Sequence, residues 1–279
     1  MVQVRNHKVM VVLLLVLAVV VLAAVGPASA QGRKRIQWIG TRGDAFDQSR
    51  ESGKPVLVDV WAIWCAPCKV MAVRTYGNPR IIQASEKFIP LRINADSDDG
   101  FSVKYGANIL PTTLFLDHEG RLLGKISGVI GPTDLGAVMD RILAGYENYL
   151  SHVQHPDRPE SQLAVASYLL RIGNTSGAVA VLRRHLKQLQ ETAESDPGQV
   201  EAAELRLAAS LVADGRSAQA VPILHRLSMT ATNDQVQGNA LFGLVRAQRA
   251  RGEILKADRA LQRLKKEFPD LAAGLNETR

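Results

Sequence analysis

The stretch Val56-Leu57-Val58-Asp59-Val60-Trp61-Ala62-Ile63-Trp64-Cys65-Ala66-Pro67-Cys68-Lys69 decides how the rest of the chain is read. Its first half is short, β-branched and dense in apolar residues, the pattern of a strand buried in the middle of a sheet. From about Ala66 the pattern is that of a helix. A strand running into a helix at this point puts Cys65 at the helix N-terminus and Cys68 one turn further in. The spacing of three places both sulfurs on one helical face, close enough to bond. Unpaired N–H groups and the helix dipole at that end favour a thiolate on Cys65 and lower its pKa. Cys68 is expected to be the more buried of the two and to remain a thiol until it is needed. That asymmetry suits a two-step exchange in which Cys65 forms a mixed disulfide and Cys68 resolves it. Cys-x-x-Cys is also half of a structural zinc site, which needs four ligands. The chain has no other cysteine, and the nearest histidine pair, His152 and His155, lies far downstream. No metal is expected.

Outward from this centre, a helix is expected from about Asp44 to Glu51, stopped at Gly53. Trp38 and Ile39 are packing points in a polar lead-in. Pro79 opens another helix, since proline is favoured in a first turn. Phe88–Ile93 reads as a second strand and Phe101–Tyr105 as a short helix ended by Gly106. Thr112–Leu116 is a third strand. His118-Glu119-Gly120 is a turn into a fourth strand, Leu122–Ile126. Thr133 is expected to cap a closing helix that runs to about Tyr149. The order is that of an α/β layered domain of about a hundred residues. Asp59 sits in a strand apolar on both faces, so its carboxyl is expected to be buried, and burial raises its pKa. From there it can take the Cys68 proton during resolution. The competing reading is an acid at a strand edge in contact with water. Arg92, on the next strand, is placed to offset the shift. Trp61 is assigned to the core and Lys69 to solvent.

These residues resemble the thioredoxin superfamily over about residues 44–149. Val58-Asp59-Val60-Trp61-Ala62 matches the family's strand, buried acid included. Leu110-Pro111-Thr112 matches its cis-proline loop, and Gly124 and Gly128 match the glycines of its closing hairpin. Thr75-Tyr76-Gly77-Asn78-Pro79-Arg80-Ile81 is more similar to the thioredoxin-like periplasmic domain of disulfide-bond reductase D. The resemblance implies a three-layer thioredoxin fold with a central mixed sheet and an enzyme that exchanges protein disulfides. It implies catalytic roles for Cys65, Cys68 and Asp59. It also implies substrate contacts at Trp64, Pro67, Leu110 and Pro111. Alanine at position 66 replaces the glycine of thioredoxin's Cys-Gly-Pro-Cys, and with Pro67 kept, reductant-like behaviour is expected.

His155-Pro156-Asp157-Arg158-Pro159 breaks the α/β pattern, so the thioredoxin-like domain is expected over 31–154 and a second, all-α domain over 155–279. There Gly173, Gly215 and Gly252 are each followed five residues later by Ala178, Ala220 and Ala257, and four later again by Leu182, Leu224 and Leu261. Val165-Ala166, Leu207-Ala208 and Leu244-Val245 precede the same glycines. This reads as helix, glycine turn, helix, with small alanines at close helix contacts, and it resembles the tetratricopeptide repeat. An unrelated helical bundle is the alternative.

The N-terminus is basic at Arg5 and Lys8, apolar from Val9 to Val25, and ends in Ala28-Ser29-Ala30, an A-x-A cleavage pattern. Residues 1–30 read as a secretory signal, with an uncleaved membrane anchor as the alternative. Either way a periplasmic or other extracytoplasmic location is expected. The formal charge of +7 falls to +5 on losing Arg5 and Lys8, since residues 1–30 hold no acid. The remaining charges are interspersed, so no nucleic-acid partner is expected. No flavin or nicotinamide fingerprint is present, and the redox-active disulfide Cys65–Cys68 is the only group the chemistry needs. Expected partners are protein thiols and disulfides, a membrane or soluble thiol reductant that recharges the pair, and a protein bound at the repeats. The sequence reads as an exported disulfide reductase or isomerase. The alternative is a chaperone-like or assembly-factor binding protein with an accessory redox site.

Overall fold

A computed structural model describes residues 35–192 and 196–273; the expected leader lies outside the described residues. Helix α1 (Arg42–Ser52) starts at Thr41, whose side chain accepts the Asp44 N–H, and ends at Gly53 in the left-handed conformation, φ 68°. Strand β1 (Val56–Trp61) follows, then α2 (Ala66–Arg74), α3 (Pro79–Ser85), β2 (Ile89–Asn94), α4 (Asp99–Tyr105), β3 (Thr112–Leu116) and β4 (Leu122–Ser127). The sheet order is β2-β1-β3-β4, with β1 parallel to β2 and antiparallel to β3, and β3 antiparallel to β4. This is the mixed sheet that the resemblance implied. Alternation along β1 sends Val56, Val58 and Val60 into one apolar layer with Ala45 and Phe101 of α1 and α4. Leu57 faces the opposite layer, with Met71 of α2 and Ile81 of α3.

The closing helix differs from expectation. It is two helices, α5 (Pro132–Leu143) and α6 (Tyr146–Val153), and Thr133 does not cap the first. Gly131 is the N-cap, with no side-chain hydrogen bond, and Pro132 takes the first helical position. The chain breaks at Gly145, φ 76°, where a Cβ would come within 2.5 Å of the Arg171 guanidinium. The reason is tertiary. Arg171 donates to the carbonyl oxygen of Ala144 at 2.7 Å, so the turn is shaped by a side chain from the helical region.

That region is a run of paired helices: α7 (Pro159–Arg171) with α8 (Thr175–Glu191), α9 (Pro197–Ala213) with α10 (Ser217–Thr230), and α11 (Asp234–Ala250) with α12 (Ile254–Glu267), followed by α13 (Pro269–Ala273). Gly173, Gly215 and Gly252 make the intra-pair turns with φ of 84°, 76° and 72°, a conformation that favours glycine. Ala178, Ala220 and Ala257 are fully buried at the expected helix contacts. The apolar core does not stop at residues 155–159. Val165, Tyr168, Leu169 and Ile172 belong to the same cluster as Leu57, Phe115 and Met139 of the α/β half. Polar ties reinforce it: Tyr168 Oη donates to Ile142 O at 2.7 Å, and Asn174 Nδ2 donates to Leu122 O at 2.6 Å.

A shared core predicts shared unfolding. Leu169→Ala removes a buried side chain and is expected to cost about 2–5 kcal/mol. All three tryptophans, Trp38, Trp61 and Trp64, lie in the α/β half, while most of the helix lies beyond it. Urea unfolding followed by tryptophan fluorescence and by far-UV circular dichroism should shift together in this variant. A shift in the dichroism alone would show that the two halves unfold independently.

Candidate active site

Strand β1 is anchored on both sides, so its C-terminal end is a fixed point. The chain leaves it at Trp61, turns through residues 62–64 and enters α2 at Cys65. Cys65 is the N-cap of α2: its Sγ accepts the backbone N–H of Cys68 at 3.2 Å. This satisfies one of the amides that a helix start leaves open, and it aims the positive end of the helix at that sulfur. Cys65 and Cys68 are joined by a disulfide, with Cα atoms 5.3 Å apart.

The expected difference in burial is not seen in this oxidised state. Both cysteines are 3% exposed, because the bonded sulfurs sit together beneath Trp61, Ala62 and Leu110. What separates them is access. A groove of about 580 Å³ opens beside Cys65, with walls that include Trp64, Pro67, Ala95, Val103 and Leu110, and Cys68 does not line it. Trp64 is 67% exposed. Its ring is held in place by Nε1, which donates to both carboxylate oxygens of Asp96, at 3.0 and 3.1 Å. The Leu110–Pro111 peptide bond is cis. Leu110 packs on the cysteine pair and lines the groove, while Pro111 is buried behind it and fixes the loop. Ile63, Val103 and Ile109 add exposed apolar surface from the turn after β1, from α4 and from the loop before β3.

Asp59 lies on the sheet face that α2 covers and is 2% exposed. Its Oδ2 accepts from Arg92 Nε at 3.0 Å. Asp59 and Arg92 are direct partners in the parallel β1–β2 register. Loss of hydration on burial pushes the Asp59 carboxyl up to about 6, and the Arg92 guanidinium offsets only part of that rise. The Arg92 guanidinium also stacks over Trp61, 4.3 Å from the ring centre, which leaves it shared between two partners. Tyr76 is wholly buried, and its hydroxyl bonds Thr113 Oγ1 at 3.0 Å. Burial and the nearby Asp59 charge raise the Tyr76 pKa well above its usual value, so the phenol stays neutral.

Sequence reasoning did not find Asp96, Tyr76, Thr113 or Val103 as parts of this site. The signal for Asp96 was present. Parallel strands end side by side, so the acid-rich loop after β2 had to lie next to the loop after β1 that carries Trp64. Tyr76 and Thr113 meet only through the fold, and no local pattern points to them.

A cysteine held at a helix N-cap, bonded to a second cysteine three residues on and facing an apolar groove, defines a thiol–disulfide oxidoreductase. Comparison with known proteins agrees. Residues 37–118 match the thioredoxin-like family model, and residues 239–271 match a tetratricopeptide repeat model. Thioredoxin 1 of Synechococcus elongatus is 31% identical over 93 residues, covering 33% of this chain and 84% of that protein. Thiol:disulfide interchange protein HelX of Rhodobacter capsulatus is 29% identical over 129 residues, 40% of this chain and 73% of HelX. Thiol:disulfide interchange protein DsbD of Salmonella paratyphi A is 30% identical over 105 residues, 35% of this chain and 18% of DsbD. The chain belongs to the thioredoxin family.

The Asp59 environment has a measurable consequence. The folded protein holds this proton to about pH 6, whereas an unfolded carboxyl releases it near 3.8. The folded state therefore binds more protons in that window, and stability is lost as pH rises through it. Asp59→Asn removes that loss. Relative to wild type, the oxidised variant is expected to gain on the order of 2 kcal/mol between about pH 4 and about pH 8. Urea denaturation at both pH values measures it. Parallel pH dependence in the two proteins would assign Asp59 an ordinary carboxyl pKa.

Proposed function

We propose that the protein is an exported reductase or isomerase of protein disulfides that works by dithiol exchange through Cys65 and Cys68. The observation that carries this reading is the position of Cys65, at the α2 N-cap and at the mouth of an apolar groove, with Cys68 behind it. In the reduced enzyme the Cys65 thiolate attacks one sulfur of a substrate disulfide. A Cys65–substrate bond forms and the substrate's second sulfur leaves as a thiolate. Cys68 gives its proton to the Asp59 carboxylate and attacks Cys65 Sγ. The Cys65–Cys68 bond forms, the substrate's first sulfur departs, and two electrons have passed from enzyme to substrate. The proton held by Asp59 returns to solvent or to the departing thiolate. No further cofactor enters this cycle. A thiol donor must then reduce the pair again.

The substrate is a protein. Trp64, Pro67 and Leu110 present apolar surface on the groove beside Cys65, and the backbone amide and carbonyl of Leu110 have no hydrogen-bond partner among the described residues. An extended peptide segment satisfies them while its side chains rest on the groove walls. The reductive direction rests on Pro67 within the motif and on the apolar residue before Pro111. Export rests on the residue pattern of the leader. The helical pairs supply a surface for a protein partner, as repeat arrays do. Among the described residues no helix is long and apolar enough to cross a membrane.

Two single variants test the assignment of roles. Cys65→Ser is expected to abolish insulin reduction, and Cys68→Ser is expected to accumulate mixed disulfides through Cys65 on non-reducing gels. Trapping through Cys68 in the Cys65→Ser protein, without trapping in the other, would reverse the roles. Asp59→Asn is expected to slow resolution more than the first attack in stopped-flow measurements, because Cys65 keeps its helix N-terminus. Wild-type rates for both steps would remove Asp59 from the mechanism.

A further inference from the structure

A second well-formed cavity lies apart from the groove at the cysteines. It lies where the α/β half meets the first helix pair, has a volume of about 600 Å³, and shares no lining residue with the groove beside Cys65. That volume is typical of sites for small organic ligands. Its apolar walls come from both halves: Leu122 from β4, Val153 from α6, Val165 and Leu169 from α7, and Val181 from α8. Its lining includes two arginines, Arg121 and Arg184, and no aspartate or glutamate.

Most of the polar groups around this cavity are already committed. Arg121 Nη1 donates to the buried Asp117 carboxylate at 2.8 Å, and Tyr149 Oη donates to the same oxygen at 2.7 Å. His152 Nδ1 and Ser161 Oγ bond each other at 3.2 Å. The Gln162 amide donates to Pro156 O and to Gln188 Oε1, and its oxygen faces His185 Nδ1 at 2.9 Å. Asn174 donates to Leu122 O and accepts the Gly177 N–H. Arg184 is the exception. It is exposed at the cavity, and among the described residues it has no hydrogen-bond or ion-pair partner. The cavity thus offers apolar walls, polar groups that mostly bond one another, and, in Arg184, a guanidinium free to take a carboxylate in a bidentate pair.

We propose that this junction binds a small amphipathic carboxylate: an apolar chain or ring buried among Leu122, Val153, Val165, Leu169 and Val181, with its single carboxylate on Arg184. A neutral ligand of the same shape leaves the guanidinium unpaired. A cationic one is repelled by Arg184 and by the partial positive charge of the α8 N-terminus, whose Ser176 and Gly177 line the cavity. Because the walls come from both halves, the ligand holds them together and stabilises the folded chain as any native-state ligand does.

Decanoate is the probe, with decanol as its uncharged counterpart, titrated calorimetrically into the leader-free protein. The expected result is saturable one-to-one binding of decanoate below about 1 mM. Arg184→Ala and the replacement of decanoate by decanol should each weaken binding by about tenfold or more. Arg184→Ala should leave insulin reduction and far-UV circular dichroism unchanged, since the side chain is exposed and far in sequence from the cysteines. Trp64→Ala should bind decanoate as wild type does, which separates this site from the groove at Cys65. The proposal is overturned by any one of four results: no saturation by about 1 mM, equal affinity for decanol, wild-type affinity in Arg184→Ala, or loss of binding in Trp64→Ala. None of these outcomes bears on dithiol exchange, which is read separately by insulin reduction.

Discussion

Everything at the catalytic end depends on the burial of strand β1. It hydrogen-bonds to β2 on one side and β3 on the other and is covered on both faces, so its C-terminal end has no freedom to move. The turn after Trp61 therefore delivers Cys65 to the start of α2 in one position. The helix terminus supplies a backbone amide and a positive dipole end at the sulfur. The same burial leaves Asp59 in a dry environment, where its proton affinity is raised. One strand thus sets both the place of Cys65 at a helix N-terminus and the raised proton affinity of the buried Asp59 carboxyl.

Much of this was legible along the chain because it is local. The β-branched run, the Cys-x-x-Cys spacing, the Leu110-Pro111-Thr112 loop and the glycines at 173, 215 and 252 each carry a conformation in a few residues. The clearest misses were made across the fold. Residues 132–149 alone contain nothing that must break a helix except Gly145. The break is enforced by Arg171, twenty-six positions later, reaching back to Ala144. Asp96 clamps Trp64 only because two parallel strands end together. Equal burial of the two cysteines follows from the disulfide itself, which pulls both sulfurs under Leu110, whereas the reading from helix position considered each thiol alone.

The junction between the halves is built from the same materials as either interior. Asp117, at the end of β3, is fully buried and receives two backbone amides, Arg121 and Tyr149. These four hydrogen bonds fix the hairpin against α6. The stacked rings of Tyr149 and Tyr168, 4.6 Å apart, then join α6 to α7. The chain from the loop at Pro111 along β3 to Asp117 runs without interruption from the cysteines to this junction. The helical pairs are thus anchored to the strand that follows the Leu110–Pro111 loop, which fixes their orientation relative to the groove at Cys65.

The central claim is that the α2 N-terminus activates Cys65 and leaves Cys68 unactivated. Its most direct test is the pH dependence of alkylation of the reduced protein by iodoacetamide, with the modified cysteine identified by peptide mapping. Cys65 is expected to react first, with a midpoint clearly below the ordinary thiol value of about 8.5. Reaction of both cysteines together, with a midpoint at or above about 8.5, would contradict the account.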